Sequence, residues 1–199
     1  MLIYTSKSKV ICIGRNYVEH IHELNNQIPT SPVIFIKPNT AISNHINLPK
    51  NRNQLHYEAE IVFAFDKNGS IKAVGLGLDL TDRNLQSELK SKGLPWELAK
   101  SFDGSAVLSE FVEMSNLDIT KLSFKAYKNG NLIQSGDYKQ MIYKPDLIID
   151  FLAKNSISIK ENDFLMTGTP KGVGVIEQGD IFEIELFCEN KRILITKFK

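Results

Sequence analysis

The sequence predicts a β-rich α+β fold, a mixed β-sheet curled into a roll or sandwich with a few short helices. Three observations predict it. Short runs rich in Val, Ile and Phe recur along the whole chain, the composition of strands that pack on both sides. Turn signals such as KNGS and Asn129–Gly130 separate neighbouring runs at hairpin spacing. Only three segments carry a helical period, which is not the regular alternation of a βαβ protein. The chain has 199 residues, 42% of them hydrophobic. That is enough for one sizeable core, and a single domain over residues 1–199 is expected.

Taken in order, KVICIG (9–14) reads as a buried strand and NYVEHIHELNN (16–26) as a short helix. VIFIKP (33–38) is a strand stopped by Pro38, because proline cannot donate to a ladder. NHINLPKNRNQ is loop. EIVFAFD, the turn KNGS and IKAVGLGLDL form a hairpin. TDRNLQSELKSKG is the clearest helix, with Thr81 placed to cap its start, Gly93 to end it and Pro95 beyond. FKAYKNGNLIQSG is a second hairpin. PDLIIDFLAKN is a helix, with Leu147, Ile148, Phe151 and Leu152 at helical spacing. FLMTG, DIFEIELF and RILITKF complete the strands.

Composition narrows the partners. Twenty-four basic against 23 acidic residues leave a formal charge of +1, so neither nucleic acid nor an anionic membrane is indicated. Cys12 and Cys188 have no CxxC spacing, and neither a disulfide framework nor a zinc site is expected. MLIYTSKSKVICIG lacks the pattern of a signal peptide, and no apolar run reaches the ~20 residues of a membrane span. A cytoplasmic location is expected.

The stretch HYEAEIVFAF carries the chemistry. Glu58 and Glu60 are two apart, so in a strand they share a face, at the mouth of an apolar run. Asp79 ends the next apolar run, where it meets a helix. An isolated Glu-x-Glu is most often a solvated face, but three carboxylates at strand ends beside loops suggest a site. Converging without a cation, they would repel and lose hydration. A hard divalent ion such as Mg²⁺ removes both penalties. The absence of nearby Cys or clustered His disfavours zinc.

At these residues the sequence resembles the fumarylacetoacetate hydrolase family, most of all its compact branch of acylpyruvate hydrolases and oxaloacetate decarboxylases. The likeness is carried by HYEAEIV, LDLTDRNLQ, KGLPWELAKSFD and the loop TGTPKGVG, in the family's order from Lys9 to Leu186. It implies the family's catalytic domain alone, with the fold of its C-terminal domain. It implies that Glu58, Glu60 and Asp79 bind Mg²⁺ or Mn²⁺, that Lys100 stands at the substrate beside the metal, and that Thr169 touches the substrate carboxylate. Arg83 and Gln86, i and i+3 on one helix, face the same site and suit a carboxylate or keto oxygen. A homodimer is also implied. The loop GTPKGVG lacks the GxxxxGK[ST] pattern, so it is not a phosphate loop. Its glycines admit backbone N–H groups close to an anion.

A base is still needed. GRNYVEHIHEL offers two pairs at i, i+3 spacing, His20 with Glu23 and Glu19 with His22, and residue chemistry does not choose between them. The resemblance chooses His20 and Glu23. NNQIPTSP reads as mobile, which would make the short helix a lid. The expected reaction is metal-dependent hydrolysis of a C–C bond in a short 2,4-diketo acid, with His20 activating water. Oxaloacetate decarboxylation or a keto–enol shift on the same ligands is the alternative.

Overall fold

The computed structural model describes residues 7–52 and 54–199. Met1–Ser6, on which the signal-peptide reading falls in part, and Asn53 of the Asn/Pro-rich loop lie outside them. In chain order the elements are β1 (Val10–Gly14), α1 (Val18–Glu23), β2 (Val33–Lys37), β3 (Ile42–Ser43), β4 (Leu55–Tyr57), β5 (Ala59–Phe65), β6 (Ile71–Asp79), β7 (Thr81–Asp82), α2 (Arg83–Ser91), β8 (Ala106–Glu113), β9 (Leu122–Lys128), β10 (Asn131–Asp137), α3 (Pro145–Lys154), β11 (Phe164–Met166), β12 (Gly174–Val175), β13 (Phe182–Cys188) and β14 (Lys191–Phe198). No helix among the described residues is long and apolar enough to cross a membrane.

A seven-stranded mixed sheet, in the order β2-β1-β11-β5-β6-β8-β3, forms the centre. A four-stranded sheet, β10-β9-β13-β14, and a small sheet, β12-β4-β7, complete the β-rich α+β architecture. Every residue of β5 is buried, because both of its faces are covered. Ile61, Phe63 and Phe65 point into the main core with Val74, Leu76 and Leu78 of β6 and with Phe124, Phe182, Ile184 and Leu186 of the four-stranded sheet. Val62 and Ala64 point the other way, into a second apolar cluster with Cys12, Phe35, Ala73, Leu108, Phe164 and Met166. Ile148 and Leu152 of α3 join the main core. Glu58, Glu60 and Asp79 share the face of the second cluster. At each such position the sheet forgoes the roughly 1.5–3 kcal/mol of a buried aliphatic side chain.

Both predicted hairpins form. β5 and β6 pair antiparallel around the KNGS turn. β9 and β10 meet at Asn129 (φ 52°) and Gly130 (φ 82°), the two left-handed residues of a tight hairpin turn. Four expectations need correction. The first helix spans Val18–Glu23 rather than 16–26. Tyr17 is held extended by its bridge to Met141, and Asn25 turns left-handed (φ 50°) past the helix end. Second, the N-cap of α2 is Asp82, whose side chain accepts from Leu85 N at 3.1 Å. Thr81 is spent in β7, paired with His56. Third, β8 has no counterpart in the sequence reading, because Ser109 and Glu110 interrupt its apolar run. Its pairing with β6 makes it a strand. Fourth, the expected strand DIFEIELF begins at Phe182.

Candidate metal centre and its cavity

The β5–β6 register assembles the three carboxylates. Glu60 lies opposite Gly77, and Asp79 N donates to Glu58 O at 2.9 Å, so Glu58 and Asp79 face each other across the strand pair. Strand alternation then puts all three side chains on one face. They are 6%, 2% and 1% exposed, and one ligand oxygen from each lies within 4.8 Å of the others.

Three cations meet the cluster. Lys100 Nζ donates to Glu58 Oε2 at 2.7 Å and to Asp79 Oδ2 at 2.6 Å. Arg83 Nη2 donates to Glu58 Oε1, and its Nη1 donates to Gln86 Oε1 at 2.8 Å. Lys37, absent from the sequence-derived site, is fully buried. Its ammonium stands 2.8 Å from Asp79 Oδ1, while its hydrogens go to the carbonyls of Leu80, Lys100 and Ser105. The available signal was a lysine closing the apolar run VIFIK just before a proline. Arg83 and Lys100 were expected to hold substrate, and in this structure both are engaged with the carboxylates.

The charges are unevenly matched, and this tests the fit of a metal. Burial acts to raise the Glu58 carboxyl, but Lys100 and Arg83 outweigh it and hold the group well below the usual carboxylate range. Glu60 has no ion-pair partner among the described residues. It accepts only from Gly168 N, at 2.7 Å, and burial, then Asp79 and Glu58, push it well above its ordinary value. Asp79 Oδ1 is buried and accepts no hydrogen bond, since the lysine beside it points its hydrogens elsewhere. A carboxylate without a counter-charge and an orphaned carboxylate oxygen, side by side, are what a hard cation would satisfy. The residues fit a divalent ion held by Glu58, Glu60 and Asp79.

His20 and Glu23 are brought together, with His20 Nδ1 2.9 Å from Glu23 Oε2. Glu19 and His22 are not. Glu19 pairs with Lys171 at 3.1 Å on the surface, and His22 is exposed. The other oxygen of Glu23 accepts from Gly172 N at 2.9 Å. Thus the N–H groups of Gly168 and Gly172 serve the protein's own carboxylates, Glu60 and Glu23. Gly168 (φ 88°) and Gly172 (φ 100°) cannot carry side chains, because a Cβ would lie 2.8 Å from Asn16 Cβ and 2.1 Å from Ile133 O respectively. The expected lid helix is docked here. Asn16, just before it, is fixed by bonds to Thr167 O and to Tyr143 O and N.

A cavity of about 320 Å³ joins these parts. Its lining includes Glu58, Glu60, Asp79, His20, Arg83, Gln86, Lys100 and Thr169, so all the sequence-derived site residues but Glu23 border it. Its size is at the low end for small-molecule sites, roughly 300–1,000 Å³. The Thr169 hydroxyl is bonded within the protein. It donates to Ala59 O at 2.9 Å and accepts from Gln134 Nε2 at 2.8 Å, so its hydrogen is not free for a substrate carboxylate. Gln134, 2% exposed, was missed in the sequence. It ties Ala59 N to Thr169 and Pro170 O and braces the loop over the site.

Known proteins share this architecture. The family model "Fumarylacetoacetate (FAA) hydrolase C-terminal" matches residues 9–197. The human mitochondrial oxaloacetate tautomerase FAHD1 is 38% identical over 188 residues, covering 87% of this chain and 85% of that protein. A crystal structure from Oleispira antarctica, provisionally assigned as a fumarylacetoacetate isomerase/hydrolase, superposes with a TM-score of 0.90 at 37% identity, covering 96% of this chain and 92% of that one. The fumarylpyruvate hydrolase of Pseudomonas aeruginosa in complex with Mn²⁺ and pyruvate superposes with a TM-score of 0.82 at 27% identity, covering 89% and 84%.

Proposed function

The chain belongs to the fumarylacetoacetate hydrolase family, and on that premise we propose that it is a divalent-metal-dependent keto–enol tautomerase of a short 2-oxo acid, oxaloacetate by the kinship of its relatives. The observation that carries this reading is a single ordered base, His20 on Glu23, bordering the same small cavity as the carboxylate cluster. When bound at Glu58, Glu60 and Asp79, Mg²⁺ or Mn²⁺ supplies electrophilic stabilisation for oxygens of the 2-oxo acid. Glu23 accepts from Nδ1 and so leaves Nε2 as the basic ring nitrogen. His20 removes a proton from C3. Lys100 meets the negative charge developing on the 2-oxygen, and the proton is then delivered to that oxygen. The reverse sequence returns the enol to the keto acid.

C–C hydrolysis of acylpyruvates, the reaction expected first from the sequence, remains the second reading. It is favoured by the likeness to the fumarylpyruvate hydrolase, and there His20 would activate water instead. One experiment separates the two. Purified protein with Mg²⁺ should accelerate decay of the enol absorbance of oxaloacetate and lose that effect in EDTA. Release of pyruvate from acetylpyruvate or fumarylpyruvate, without any effect on the oxaloacetate enol, would replace the tautomerase with the hydrolase.

We also propose a homodimer. Leu94 and Leu98, beyond α2, are 48% and 67% exposed, and β2 and β3 leave two edges on the large sheet that a second copy would cover. Light scattering at micromolar protein should give twice the 22.5 kDa chain mass, and a monomeric mass would refute it.

A further inference from the structure

The cavity is lined by positive charge, at Arg15 and Lys90, that the carboxylates do not use. Arg83, Gln86 and Lys90 stand at i, i+3 and i+7 on α2, one face of a helix, and all three border the cavity. Arg15, between β1 and α1, borders it too. The other cations of the cluster are spent: Arg83 on Glu58, Lys100 on Glu58 and Asp79, Lys37 on Asp79. Arg15 and Lys90 have no carboxylate within ion-pairing distance among the described residues. The guanidinium of Arg15 donates to Asn26 Oδ1 at 2.9 Å, and Lys90 Nζ lies 5.1 Å from the centre of the Trp96 ring. Asn26 and Trp96 border the same cavity.

We infer that Arg15 and Lys90 form a second anion subsite, which receives a carboxylate at the end of the substrate remote from the Glu58–Glu60–Asp79 cluster. The inference rests on the 2-oxo acid reading above and narrows it to substrates with an anionic tail, disfavouring acylpyruvates with a neutral one. Two further observations support it. Arg15 sits in the left-handed region at φ 57°, a conformation costing about 1–3 kcal/mol for a non-glycine residue. The fold nonetheless places there a long cation whose side chain lines the cavity. Lys90 stands partly open at the rim, where burial and then the neighbouring Arg15, Lys100 and Arg83 lower its ammonium to about 8. A carboxylate bound between Arg15 and Lys90 relieves this crowding of like charge and gains charge-assisted hydrogen bonds from both.

The test compares enol-oxaloacetate with its C4 monomethyl ester, which differs in one charge, on the Mg²⁺-loaded wild type, Lys90→Gln, Arg15→Gln and the double variant. The wild type should prefer the dianion in kcat/KM. Each single variant should cut that preference roughly tenfold, mainly through KM, as for one hydrogen bond to a charged group. The double variant should nearly abolish it. Calorimetric titration with oxalate, which spans only the metal end, should give the same affinity in all four proteins. A preference for the dianion that survives in the double variant, or an equal loss of oxalate binding, would overturn the subsite. Lys90→Gln changes a rim side chain and leaves the fold intact, so one arm stays readable whatever happens at Arg15. If the wild type turns over neither compound, the tautomerase reading fails, and titration with oxaloacetate against oxalate still decides the subsite. Selective weakening of oxaloacetate supports it, and equal or absent weakening rejects it.

Discussion

Glu60→Gln should abolish metal-dependent turnover and leave the fold intact. Glu60 is the one cluster carboxylate without a cationic side-chain partner, and its retained amide oxygen still accepts from Gly168 N. Removing even a group that orients a ligand typically costs 10–100-fold in metal affinity, so losing a charged ligand should cost at least ~10²-fold. Calorimetry with Mn²⁺ and turnover at saturating oxaloacetate measure it, and wild-type Mn²⁺ affinity in Glu60→Gln would remove the metal site from this position. Without metal, the variant should melt at or above the wild-type temperature, because an uncompensated buried charge is gone. Glu58→Ala should behave differently. It strands Arg83 and leaves Lys100 with Asp79 as its remaining carboxylate, and breaking a buried pair costs about 3–5 kcal/mol. For a chain of this size that lowers melting by roughly 6–20 °C. From sequence the two glutamates are equivalent; their partners make them unequal.

His20→Ala should lower kcat for enol–keto conversion by ~10²–10⁴-fold, the usual worth of a positioned base, with little change in KM. The proton must leave or reach C3 in either direction, and His20 is the histidine on the cavity that is oriented by a carboxylate. Glu23→Ala should lose less, since it orients the ring and does not carry the proton. Metal-assisted decarboxylation of oxaloacetate, which depends more on the electron sink than on a base, should fall less in His20→Ala than tautomerisation does. His22→Ala, on the exposed side of the same helix, should match the wild type. A crippled His22→Ala beside an active His20→Ala would sink the assignment.

The sequence by itself determined the fold class, both hairpins and the three carboxylates that cluster in the structure. Apolar strand runs, Asn129–Gly130 and the Glu-x-Glu pair are local patterns, and local patterns survive in one dimension. Between the two histidine pairs, spacing alone was silent, and Glu23 is distinguished by its second bond, to Gly172, 149 residues away. Tertiary structure alone decided the rest. β8 is a strand because β6 offers it a ladder, whatever its own sequence prefers. Lys37 reads as an ordinary strand-end lysine until folding brings Asp79 and three carbonyls, 42 to 68 residues distant, around its ammonium. Lys100, through the family resemblance, and Arg83 were legible as candidate residues but not as partners of the carboxylates, because charge compensation is settled by which buried groups meet in space. Distances between residues far apart in the chain set those energies, and a sequence states only their order.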